Sequence, residues 1–293
     1  MSLRFHLFGR MRCVRNGSPV PALEGRKTAE FLAYLLLARG KTLHRERVAS
    51  DLWGAASTRG SLKRLRQALW RLQAAMTETA TFLQVDADWL QLDGRGLWID
   101  VAEFEAAWAA TGDRSGFDLT PESGARLRAA ARLYTGDLLA GWDLEWCAIE
   151  RERLRGTYLS LLDKLMDHEA QVGQPESGLA YGASALALDG AREATHRRVM
   201  QLHYLAGNRT EALRQYDRCA RALGDELGVQ PGRRTDALRE AIRADRGVVA
   251  LVVDGGRRER VQQVSDDLQH LRHLVSVLQR QLATKSDDVK TRA

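Results

Sequence analysis

Residues 57–76, STRGSLKRLRQALWRLQAAM, decide how this chain is read. Leu62, Leu65, Leu69, Leu72 and Met76 recur at helical spacing and make one apolar stripe. On the other side stand Lys63, Arg64, Gln67 and Arg71, flanked by Arg59 and Arg66, and no acidic residue occurs between Leu52 and Thr77. Like charges at neighbouring helix positions repel by about 0.2–0.5 kcal/mol per pair unless something anionic offsets them. An α-helix fits the DNA major groove, where Arg forks onto guanine and Gln brackets adenine. Lys63 and Arg59 would serve phosphates equally well. A charge run is most often plain solvated surface, so the neighbours of this helix must decide. Trp70, at the edge of the polar face, is expected to wedge against a neighbouring helix or hairpin rather than touch nucleic acid.

Upstream, Leu3, Phe5 and Leu7 alternate with Arg4 and His6, the period of a half-buried strand. Asn16-Gly17 signals a hairpin, and Pro19 and Pro21 limit the next strand to a short or edge one. From Arg26 the period turns helical: RKTAEFLAYLLLARG is apolar on most sides, with Gly40 as its stop. A short helix, HRERVASDLW, precedes the basic one, with Val48, Leu52 and Trp53 inward. After it, TFLQVDADWLQLD reads as a hairpin around Asp86-Ala87-Asp88. Strands, three helices and a closing hairpin are the winged-helix order, in which the third helix enters the groove. A wing that enters the minor groove carries Arg or Lys at its tip. This tip has Asp86 and Asp88, so the wing stays off DNA or its true tip lies near Arg95.

Downstream of Leu127 the pattern is helical to about Arg243. GQPESGLAYGASALAL at 173 aligns with GNRTEALRQYDRCARA at 207, an offset of 34 residues, with Gly178 and Ala212 as matching small positions. That period is the tetratricopeptide signature. In the tail, Val261, Val264, Leu268, Leu271, Val275, Leu278 and Leu282 are spaced 3, 4, 3, 4, 3, 4, an a/d pattern over about three heptads. Val at a with Leu at d favours a parallel dimer, the alternative being an amphipathic helix packed on the chain's own body. The expected fold is therefore mainly α with a small α+β N-terminal domain: a winged helix-turn-helix over residues 1–108, tetratricopeptide-like helices over 109–246, and a linker with a coiled-coil oligomerisation tail over 247–293.

Of the net charge of +6, residues 1–110 supply five, from 16 Lys and Arg against 11 Asp and Glu. The positive excess thus belongs to the N-terminal third. No run reaches the roughly 18 apolar residues of a membrane span. The start MSLRFHLFGRMRC alternates instead of forming a secretory block, so the expected location is the cytoplasm. Cys13, Cys147 and Cys219 match no zinc or redox spacing and read as reduced, mostly buried thiols. His270 and His273 have no further ligand nearby, and no GxSxG, HExxH, GxGxxG or GxxxxGK[ST] occurs. No catalytic residue, metal or cofactor is expected. Arg151, Arg153 and Arg155, and Arg192, Arg197 and Arg198, could hold a nucleotide second messenger or an acidic peptide, but read first as surface ion pairs. Trp142 and Trp146 are expected to anchor the junction between the first two domains.

LRFHLFG, FLAYLLLARGKTLHRERVASDLWG and SLKRLRQALWRL, followed by IDVAEFEAAW, together with LYTGDLLAGWDLEWCAIERERLRGTYLSLLDKL and EALRQYDRCARALGDELGVQPG, resemble the Streptomyces antibiotic regulatory protein family. There a winged helix of the OmpR type precedes a bacterial transcriptional activator domain. The resemblance covers about residues 3–243 and implies binding of double-stranded promoter DNA at repeats and contact with RNA polymerase. The acidic hairpin tip departs from it, as does the tail, which the shortest members lack. The function expected is a DNA-binding transcriptional regulator, an activator acting as a homodimer, with room for a small-molecule or peptide effector on the helical domain. The rival readings are a tetratricopeptide-type adaptor and a regulator that senses a nucleotide.

Overall fold

The computed structural model describes residues 3–20, 26–54, 58–76, 82–143 and 145–245. The heptad positions 261–282, and with them the coiled-coil expectation, lie outside the described residues. The described residues divide into two compact units, one up to residue 172 and one from residue 173 to 245.

In the first unit, β1 (Leu3–His6), β2 (Arg12–Arg15) and β3 (Ser18–Pro19) make an antiparallel meander. Asn16 (φ 49°) and Gly17 (φ 89°) both take the positive φ that a tight hairpin turn needs. Pro19, lacking an N–H, sits on the edge strand. α1 (Arg26–Leu37) buries Phe31, Leu32, Leu35 and Leu36 completely and is the centre of the head. Next come β4 (Thr42–His44), α2 (Arg45–Trp53) and α3 (Thr58–Ala75). β5 (Leu83–Val85) and β6 (Trp89–Leu92) form the expected hairpin, and β4 pairs with β6 to complete a three-stranded sheet. Burial of Leu65, Leu69, Leu72 and Met76 fixes α3 onto this core. At about 1.5–3 kcal/mol for each such side chain, packing far outweighs the charge repulsion on the helix's outer face.

β7 (Trp98–Ile99) lies parallel to β1 and closes a sheet of order β3-β2-β1-β7. It runs straight into α4 (Asp100–Ala109). The buried Asp100 carboxylate accepts N–H bonds from Leu7 (2.9 and 2.8 Å), Phe8 (3.0 Å) and Val101 (2.8 Å). It thereby ties the end of β1 to the start of a helix 93 residues away. The same chain end is stitched to residues 136–140: Gly9 N–H donates to the carbonyls of Gly136 and Asp137, and Leu139 N–H to that of Leu7. Phe8 packs edge-on against Phe104, and Tyr134 stacks on Tyr158 with centroids 4.0 Å apart. α5 (Pro121–Leu133), capped by Thr120, and the long α6 (Glu145–Gln171) complete the unit. At Gly116 a Cβ would stand 2.3 Å from the Lys164 carbonyl oxygen, so only glycine lets that turn lie on α6.

In the second unit α7 (Pro175–Leu188), α8 (Glu193–Leu205), α9 (Arg209–Leu227) and α10 (Arg233–Arg243) each pack on the next. α7 and α9 begin 34 residues apart, the spacing of the sequence repeat, and Gly178 and Ala212 are both buried. His196 is buried with both ring nitrogens engaged, Nε2 with the Gly190 carbonyl (2.8 Å) and Nδ1 with the Gln215 amide (2.6 Å). Burial, first among the causes, lowers its pKa. The neutral ring, donating from Nε2 and accepting at Nδ1, satisfies both bonds.

Candidate nucleic-acid interface

The single-sign face of α3 follows from two spacings. Arg59, Lys63, Arg66 and Trp70 are 4, 3 and 4 apart and make one ridge along the helix. Arg64, Gln67 and Arg71, 3 and 4 apart, make a second, beside it. All seven side chains are exposed. Among the described residues none of the five cations in these ridges makes an ion pair or hydrogen bond. The structure thus brings together all six residues singled out in the sequence, on one outward surface.

Trp70 corrects an expectation. Its indole is 68% exposed, not wedged against a neighbour. Its place on the ridge of Arg59, Lys63 and Arg66 turns it away from the buried stripe of Leu65, Leu69 and Leu72. The 4-3-4 spacing carried that information, and the size of the indole masked it.

The second ridge borders a cleft of about 200 Å³ lined by Lys27, Thr28, Trp53, Arg64, Gln67 and Arg71. Lys27 comes from the first turn of α1 and reaches α3 only through the fold, so helical periodicity had no means of finding it. Its Nζ is held 2.8 Å from Glu30, whose nearly buried carboxylate also takes Arg26 Nε at 3.0 Å. Two cations share one anion there, and the surround of the cleft stays net positive.

The hairpin tip is the acidic one: Asp86, Ala87 and Asp88 are exposed. Arg45, the first residue of α2, donates its guanidinium to the carbonyls of Asp86 (3.0 Å) and Ala87 (3.3 Å) and its N–H to that of Asp88. Arg95, the other candidate tip, is engaged by Asp93 through Nη2 at 2.7 Å. That bond also holds the Asp93 carboxyl below its usual pKa.

The arginines of the helical body behave otherwise. Arg153 pairs with Glu150 (2.5 Å) and with Glu105, which Arg39 also engages. Arg151 instead donates to the carbonyls of Leu138 and Trp142, each at 3.0 Å, and so closes the turn before α6. Arg197 pairs with Glu193, and Arg192 bonds Thr195. Trp146 meets Tyr34 of α1 edge-on at 5.2 Å, which joins the head to α6 as expected of it. All three cysteines are buried, and burial raises the thiol pKa of Cys219 to about 11. Among the described residues no cluster of three or more His, Cys, Asp or Glu could hold a metal ion, and no helix is long and apolar enough to cross a membrane.

The family profile of the bacterial transcriptional activator domain matches residues 99–243. The chain is similar to regulatory protein AfsR of Streptomyces coelicolor, 29% identical over 231 residues, which are 78% of this chain and 23% of AfsR. It is also similar to regulatory protein DnrI of Streptomyces peucetius, 26% identical over 268 residues, 84% of this chain and 94% of DnrI. The chain therefore spans about a quarter of AfsR and nearly all of DnrI. In fold it is like Mycobacterium tuberculosis EmbR, solved in complex with a low-affinity phosphopeptide: TM-score 0.70 at 21% identity, over 90% of this chain and 70% of EmbR.

Proposed function

Because the chain belongs to the Streptomyces antibiotic regulatory protein family, we propose that it is a transcriptional regulator that docks α3 in the major groove of promoter DNA. The observation that carries this reading is the exposed face of Arg59, Lys63, Arg64, Arg66 and Arg71, unpaired among the described residues. Charges kept apart from every carboxylate are available to a polyanion, and their contacts release counterions from DNA. Arginine and glutamine side chains on such a face serve base edges or phosphates, according to which they meet. The acidic hairpin tip, which would be repelled by phosphate, stays outside the minor groove.

In this account residues 1–108 bind DNA and residues 109–246 carry the activator function, including contact with RNA polymerase and reception of any effector on tetratricopeptide-like helices. Residues 247–293 pair two copies through the heptads. Pairing makes the second half-site contact intramolecular, which raises the avidity of a small head. The site of action is the cytoplasm, where promoter DNA is.

The test is binding of the full chain to duplex DNA across a salt series. The reading expects affinity to fall with a log–log slope of roughly −0.9 per phosphate contact. A flat salt response, or no binding to any duplex, would favour the adaptor reading instead. Leu271→Asp, at a central heptad position, is expected to turn a dimer into a monomer in light scattering. An unchanged mass would remove the tail from self-association.

A further inference from the structure

From the cleft between α1 and the second ridge of α3 we infer a phosphate clamp, in which Lys27, Arg64 and Arg71 together hold one phosphate of the DNA backbone. This inference rests on the DNA-binding reading and divides the labour within it. The cleft is about 200 Å³, too small for a nucleotide base with its sugar and ample for a single phosphate group. It draws cations from two elements, one from α1 and two from α3, around a floor that mixes Thr28 and Gln67 with the apolar Trp53 and Ala68. Arg64 and Arg71 make no ion pair or hydrogen bond among the described residues. Lys27 is positioned beforehand by Glu30 at 2.8 Å, and its side chain remains 60% exposed. Glu30 already takes Arg26 as well, so it does not neutralise both. A cation held in place costs less side-chain entropy when it meets its anion than a free one.

The consequence is a split of α3 by ridge. Arg59, Lys63, Arg66 and Trp70 face outward along the first ridge and meet the groove. Arg64 and Arg71 turn towards α1 and grip the flanking strand. A phosphate contact positions the protein without reading sequence, so Lys27 should set affinity and register and leave base preference alone.

The experiment uses the full chain and fluorescein-labelled random-sequence 30-base-pair duplexes, with Lys27→Gln, Arg71→Gln and the double variant. Arg132→Gln, an equal charge loss on α5, is the control. Lys27→Gln should bind every duplex roughly 5–10-fold more weakly at 0.1 M salt, the worth of about one phosphate contact, while Arg132→Gln binds as wild type. Because two groups share one anion, the double variant should lose less than the product of the two single losses. Unchanged affinity in Lys27→Gln, strictly multiplicative losses, or a loss confined to one sequence would each overturn the clamp while leaving wild-type DNA binding intact. Inorganic phosphate, added at constant ionic strength, tests for a free anion as the ligand. Its tight binding together with unchanged duplex affinity in Lys27→Gln would also overturn the assignment to DNA. Failure of the wild type itself to bind any duplex is the separate outcome that overturns the DNA reading.

Discussion

The basic face of α3 and the charged surface of the helical unit 173–245 are made of the same residue types and do different things. In the helical unit, Arg197 faces Glu193, Arg214 and Arg218 both face Glu211, and Arg239 and Arg243 face Glu240. These are intrahelical or neighbouring pairs, worth a few tenths of a kcal/mol each, and they satisfy their own charge. On α3 the cations stand without acids between Leu52 and Thr77 and without partners among the described residues. Number of arginines does not mark an interface. What sets α3 apart is the absence of counter-charge at helical spacing.

The contrast can be broken most forcefully by reversing charge on each surface. Lys63→Glu and Arg71→Glu are each expected to weaken duplex binding by roughly 100-fold, through a lost contact and a new repulsion. Arg214→Glu, an equal charge change in the other region, should leave binding within about twofold. Fluorescence anisotropy reads both. Equal losses from the two surfaces would reduce the effect to net charge alone. Circular dichroism should show all three proteins folded, since these side chains are exposed.

Trp70 sharpens the comparison from the apolar side. Trp70→Ala should lower duplex affinity several-fold, because an exposed indole on the groove-facing ridge gives up water on docking. It should change the unfolding free energy from urea denaturation by less than about 0.5 kcal/mol, as exposed substitutions do. A large loss of stability with unchanged DNA affinity would restore the expectation that the ring packs inside.

The smallest effect belongs to the helical unit and to pH. Burial lowers the pKa of His196, and its neutral ring satisfies Gly190 and Gln215. Its contribution is therefore present above the unfolded value near 6.5 and lost as pH falls below it. The urea midpoint of the full chain should drop between pH 7.5 and pH 5, and drop less steeply in His196→Asn. An identical pH slope in both proteins would mean that His196 is not the group responsible. DNA affinity per folded molecule should not follow this titration.

Much of this arrangement was legible in the residues. The Asn16-Gly17 turn, the hairpin around Asp86–Asp88, the apolar stripe of α3 and the 34-residue repeat are local signals, and each element lies where its pattern placed it. What escaped is non-local. β4 is three residues long and shows no alternation, and it exists because β6 offers it a partner. β7 pairs with a strand more than ninety residues upstream, and Asp100 acts there as a connector instead of as an ordinary acidic residue in a helix's first turn. Lys27 joined the candidate site for the same reason, by packing of α1 against α3. Periodicity finds the face of a helix. It does not find what another helix adds to it.

The most direct test of the central claim is lysine acetylation footprinting of the full chain by mass spectrometry, with and without saturating duplex. The account predicts that duplex protects Lys63 strongly, while Lys41 and Lys164 react as they do in the free protein. Lys63 reacting at the same rate in the bound and free states would contradict it.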